Sequence, residues 1–185
     1  MPAYILTGTP GSGKTAVLRL LETLGYAVVE EAATDVIALR QAQGREEPWR
    51  EPGFIDDIIA LQRRRQDAVR ATARSATVFF DRSPACTLAL SRYLGLPQPP
   101  VLAREITRLL ADGAYEASAF FIRNQGFVQA TDARRISFQD SLSFERVHEQ
   151  AYRELGFRLI EVPAGPLAGR VAVILETVSQ LQQCG

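Results

Sequence analysis

The octapeptide Gly8-Thr9-Pro10-Gly11-Ser12-Gly13-Lys14-Thr15 follows directly on an apolar run, Ala3 to Thr7, and leads into a helical stripe through Val17, Leu20, Leu21 and Leu24. Glycines at these spacings, then lysine and threonine, match the phosphate-binding loop at every required position. That loop also needs a strand before it and a helix after it. Gly8, Gly11 and Gly13 let successive N–H groups, that of Ser12 included, converge on phosphate oxygens, and the helix adds the positive end of its dipole. Lys14 is placed to reach the β and γ phosphates, and Thr15 to put its hydroxyl on magnesium. As a loop lysine, Lys14 is expected to be exposed and to contribute little to packing. The implied ligands are ATP, with GTP open as well, and Mg2+. The rival reading is a glycine-rich turn that merely joins strand to helix, and the flanking elements weigh against it.

Such a loop belongs at the first crossover of a parallel sheet, and the rest of the chain supplies the sheet. Four further runs, Tyr26 to Glu30, Thr77 to Asp81, Ala117 to Ile122 and Phe157 to Val162, are mostly apolar throughout, as strands covered on both faces must be. Stripes at helical spacing run through Val101, Leu102, Ile106, Leu109 and Leu110, and through Val171, Ile174, Leu175, Val178 and Leu181. The expectation is a three-layer α/β fold: a parallel five-stranded sheet of order 2-3-1-4-5 with helices on both faces. Breaks fall at Gly44 to Gly53, Gly95 to Pro100 and Asn124 to Ser137. The length of 185 residues, with 46% hydrophobic and 23% charged, suits one domain spanning 1–185.

Twenty-one basic residues balance 21 acidic ones, so no global field gathers nucleic acid or an anionic membrane. No run approaches membrane-spanning length, and the N-terminus lacks the basic region of a signal peptide. The chain is therefore expected to be cytoplasmic, without nucleic-acid or membrane partners. Cys86 and Cys184 lack metal-ligand spacing and read as free thiols. Oligomeric state is not legible.

The third run ends in Asp81-Arg82, which puts a carboxylate at the carboxyl edge of a buried strand, where open α/β sheets bind ligands. Work-performing ATPases commonly follow this aspartate with a water-orienting glutamate; here the follower is arginine. The guanine-reading Asn-Lys-x-Asp pattern and the Leu-Ser-Gly-Gly-Gln signature of transporter ATPases are absent from the sequence. The pair instead resembles the Asp-Arg or Glu-Arg of thymidylate and deoxynucleoside kinases, where the arginine steadies a phosphate or acceptor. The competing reading makes Asp81 and Arg82 a helix cap and a local ion pair.

The resemblance extends over the whole chain to the AAA-type ATPase/kinase family, relatives of ribosylnicotinamide kinase. It is carried by Gly8 to Thr15, Val28 to Ala33, Pro48-Trp49, Arg65-Gln66 and Asp81-Arg82. A late block runs from Thr131-Asp132-Ala133-Arg134-Arg135 through Phe144-Glu145-Arg146, His148-Glu149 and Tyr152 to Phe157 as far as Val162-Pro163-Ala164-Gly165. It implies a P-loop kinase fold with a lid over the phosphates. Two positions depart from the family pattern: Thr34, where relatives often carry arginine, and Cys86, where they often carry aspartate.

The lid falls at about 124–137 and carries Arg134 and Arg135, either of which can neutralise a transferring phosphoryl group. A solvated basic turn is its rival. On the helix from Phe54 to about Arg74, Gln62 and Gln66 interrupt an apolar stripe through Ile55, Ile58 and Ile59, which makes this helix a candidate acceptor wall. Equally, both amides can sit at the stripe's edge and meet solvent. Glu31 follows the second strand and is placed to hold an acceptor hydroxyl or act as base, against a plain helix-start role. Pro163 follows the last strand, where related kinases pack adenine. His148, the sole histidine, reads as structural.

These readings add up to an ATP- and Mg2+-dependent phosphotransferase acting on a small nucleoside- or nucleotide-like acceptor. A nucleotide-gated regulatory protein or slow hydrolase is the alternative.

Overall fold

Alternate residues of the first strand turn to opposite layers, and this sets the architecture. In the computed structural model, which describes residues 1–72, 77–125 and 138–183, β1 is Ala3–Thr7. Tyr4 and Leu6 pack into one cluster with Val17, Leu18 and Leu21 of α1 (Lys14–Thr23) and Val171, Ile174 and Val178 of α7 (Leu167–Gln183). Ile5 faces the other way, against α4 (Pro84–Tyr93), α5 (Pro100–Ala111) and α6 (Phe138–Glu154). A strand with helices on both faces buries every side chain, which is why its apolar run is continuous.

The remaining strands are β2 (Ala27–Val29), β3 (Val78–Asp81), β4 (Ser118–Ile122) and β5 (Arg158–Val162), and α2 (Ala32–Ala42) and α3 (Phe54–Thr72) cross between the second and third. All strand pairs are parallel and the order is β2-β3-β1-β4-β5, as expected from the sequence. Each strand falls within one residue of its expected ends. Tyr4, Phe79 and Phe120 stack across the three central strands with centroids 6.0 and 5.8 Å apart. Fully burying each such ring contributes about 1.5–3 kcal/mol. Among the described residues, no helix is long and apolar enough to cross a membrane.

Register brings the site together. Asp81 pairs with Leu6, two residues ahead of Gly8, so the end of β3 lies beside the start of the glycine loop. Ser83 then caps α4 by accepting from the Ala85 N–H at 3.2 Å, with Pro84 at the first helical position. Capping thus falls to Ser83, and Asp81 and Arg82 are not required for it.

Candidate active site

The glycine loop is shaped by close approaches from two distant parts of the chain, the end of β4 and the start of α7. Gly8 has φ +138°, and a Cβ there would meet the Ile122 carbonyl oxygen at 2.4 Å. Gly13 has φ +81°, and a Cβ there would lie 2.8 Å from Nη1 of Arg170. Arg170, on α7 and only 5% exposed, donates from Nη2 to the Ser12 carbonyl at 2.7 Å and to the Arg123 carbonyl at 3.2 Å. The amide oxygen of Gln125 also accepts from it. The Thr9 and Ser12 hydroxyls are buried in this loop and find no hydrogen-bond partner among the described residues.

These two contacts rank two substitutions. Gly13→Ala meets the tip of the Arg170 side chain, which can yield only by loosening its bonds to the Ser12 and Arg123 carbonyls, so part of those bonds adds to the cost of the left-handed backbone, about 1–2 kcal/mol. Gly8→Ala meets backbone that cannot swing away and adds roughly 1–3 kcal/mol of overpacking. In thermal melts Gly8→Ala should therefore unfold well below Gly13→Ala, and equal melting points would contradict the geometry.

Lys14 is not the exposed residue that its loop position suggests: only 5% of it is accessible, and Nζ donates to the Thr9 carbonyl at 3.3 Å. Burial lowers its pKa from the ordinary 10.5 to about 8; the neighbouring Arg82 cation adds to this, while Asp81, Glu31 and Cys86 oppose it. The lysine therefore shares one electrostatic environment with every charged group expected at the site from β2 and β3.

Arg82 is the only non-glycine residue with positive φ among the described residues, at +74°. Its Nε stands 2.5 Å from Oε1 of Glu31, a close ion pair rather than an aligned hydrogen bond, and both side chains are nearly buried. Its Nη1 lies 3.2 Å from Nε2 of His148, which is fully buried on α6. Burial is the largest single influence on Arg82 and pulls its pKa down, yet Glu31, Cys86 and Asp81 together carry it above its ordinary value. Glu31 occupies the N-cap position of α2 without making a capping bond; it accepts instead from the Thr34 hydroxyl at 3.0 Å.

Glu31 and Arg82 also line a cavity of about 300 Å³. Trp49, Phe54, Leu90, Tyr93 and Phe144 form its apolar walls, Gln62 and Thr87 add polar points, and Pro10 brings the glycine loop to its edge. Cys86, a free thiol, lines the same cavity and is tied into a buried network: its Sγ lies 3.0 Å from the Tyr152 hydroxyl and 3.2 Å from that of Thr7. Burial and Cys86 push the Tyr152 pKa well up.

The structure separates residues that the sequence grouped. Gln62 lines the cavity and accepts from the Thr87 hydroxyl at 3.3 Å, whereas Gln66, one turn further along, is buried and accepts from Arg108 on α5, so it does not line the cavity. Thr15 is exposed on the first turn of α1, and Pro163 is exposed just after β5. Glu30 is exposed and paired with Arg19. Arg134, Arg135 and most of the expected lid lie outside the described residues, as does Cys184. Arg170 and the Arg82–His148 contact went unread, because each joins residues far apart in the chain; only the burial implied by the helical stripes hints at them.

A parallel sheet of this order, carrying a glycine loop at the end of β1 and an acidic residue at the end of β3, defines a P-loop nucleotide-binding fold of the kinase type. Residues 3–170 match the AAA domain family, and the chain belongs to it. The family resemblance read from the glycine loop and the late block is thereby borne out. No curated protein matches the sequence. Among solved structures, the chain is similar to deoxyadenosine kinase from M. mycoides with the products dCMP and a flexible dCDP bound. That likeness has 14% identity and a TM-score of 0.60, and covers 96% of this chain and 99% of that one. The same enzyme with dATP bound gives 13% identity, a TM-score of 0.55 and the same coverage.

Proposed function

We propose that this protein is an ATP- and Mg2+-dependent phosphotransferase whose acceptor is a nucleoside or nucleotide-like molecule. The observation that carries this reading is the shared wall: Arg82 and Glu31 border both the surroundings of Lys14 and the cavity. The triphosphate sits on the glycine loop and Lys14, with adenine toward Pro163. Thr15 and Asp81 are hard oxygen donors of the kind Mg2+ takes, and they would hold it together with water; the ion supplies charge neutralisation at the phosphates. A planar ring would lie against the wall made by Trp49 and by the Tyr93–Phe144 ring pair, whose centroids are 4.6 Å apart, with the Gln62 amide meeting its polar edge. The deoxyadenosine kinases of like fold, with dATP or dCMP bound, support this class of ligand.

In the transfer, the acceptor hydroxyl oxygen bonds to the γ phosphorus while the bond from that phosphorus to its bridging oxygen breaks. Glu31 takes the hydroxyl proton. Arg82 neutralises the equatorial oxygens, joined by Arg134 or Arg135 from the lid segment. Labelled ATP with magnesium and a panel of nucleosides and nucleotides tests the reading directly. Label on one acceptor supports it, and label released only as inorganic phosphate replaces it with a hydrolase or nucleotide-gated switch.

A further inference from the structure

Arg82 is held from two sides by groups of different charge. Glu31 offers a carboxylate to Nε, whereas His148 offers an imidazole to Nη1 at 3.2 Å. A guanidinium only donates, so Nε2 of His148 must accept, and the ring proton must sit on Nδ1. That assignment is met independently: Nδ1 lies 3.1 Å from the Phe144 carbonyl, which only accepts. The two contacts therefore fix one tautomer of a neutral, fully buried ring.

From these contacts we infer that His148 is a positioning residue, which aims the Arg82 guanidinium into the cavity without cancelling its charge. A second carboxylate in its place would hold the arginine equally well, but together with Arg82 and Glu31 it would make a group of three with a net negative charge facing an incoming phosphoryl group. A neutral acceptor supplies direction alone. The need for such a guide comes from the backbone: Arg82 leaves the strand in the left-handed region, which side chains rarely adopt, and this turns it from the strand's end toward α6. The inference rests on the phosphotransfer reading for its kinetic consequence, but not for its geometry.

The experiment has two arms. In the first, transfer from labelled ATP is measured for wild type, His148→Leu, His148→Gln and His148→Glu. Losing a hydrogen bond to a charged group that acts in the transition state should lower kcat by about tenfold or more in His148→Leu, with KM for ATP within roughly threefold. His148→Gln keeps a neutral acceptor and should recover most of the rate, while His148→Glu keeps an acceptor but adds a charge and should not. Equal loss in the glutamine and leucine variants, or a glutamate variant as active as glutamine, overturns the inference.

The second arm needs no turnover. The chain has one histidine, so its ring nitrogens give two unambiguous 15N resonances. Wild type should show a neutral ring protonated at Nδ1, and Arg82→Met should shift the Nε2 resonance. An unmoved Nε2 resonance overturns the inference whatever the enzyme does. If wild type transfers label to no acceptor, the proposed function fails, and this arm still decides the role of His148.

Discussion

Lys14→Met is expected to melt above wild type in the absence of nucleotide, by several degrees near pH 7.5, while losing turnover and all stabilisation by MgATP. The gain arises because folding buries an ammonium group: its pKa falls from 10.5 to about 8, chiefly through desolvation and then through Arg82. That difference corresponds to about 3 kcal/mol, and a chain of this size responds by about 2–4 °C per kcal/mol. Methionine fills nearly the same volume without a charge. Above pH 10.5 the amine is neutral in both folded and unfolded states and the penalty vanishes; as pH falls toward 8 the unfolded chain takes up the proton first, and below about 8 the penalty is complete. The melting advantage of the variant should therefore narrow as pH is raised from 7.5 to 10. A variant that melts no higher than wild type, or one still stabilised by MgATP, would refute this account, since ligand raises the melting point only of the form that binds it.

Asp81→Asn should abolish measurable turnover, a loss of at least ~10²-fold in kcat at saturating magnesium, because a metal at transferring phosphates supplies several kcal/mol of transition-state stabilisation. Asparagine has the same shape, and the strand around it is buried, so the fold should persist. Nucleotide binding should also lose most of its dependence on magnesium, as measured by titration with and without the ion. Turnover unchanged from wild type would reduce Asp81 to a structural role beside Lys14 and Arg82.

The fold was legible because its signals are local and periodic. A doubly covered strand must be apolar along its length, so the runs at β1, β3 and β4 mark themselves. The glycine loop is legible for the same reason, as eight contiguous residues. What stayed hidden depends on contacts across the chain. Helical spacing puts Gln62 and Gln66 near one face of α3, but it does not say that the first meets Thr87 on α4 and the second Arg108 on α5. The sole histidine likewise reads as structural from the sequence, yet only the fold carries His148 to Arg82, 66 positions away. The burial of Lys14 is invisible to a motif, since the residues that cover it come from other strands and helices.

One contact also bears on when the protein becomes functional. The phosphate loop is made near the start of the chain, but the Ser12 carbonyl is held by Arg170, 158 residues later. A ribosome adding roughly 5–20 residues per second takes on the order of 10–30 s to cover that distance. During that interval the nascent chain carries the complete binding motif with its loop unbraced. The brace on the loop thus arrives late in synthesis, when α7 docks, and on the proposed reading full competence for the triphosphate would follow it.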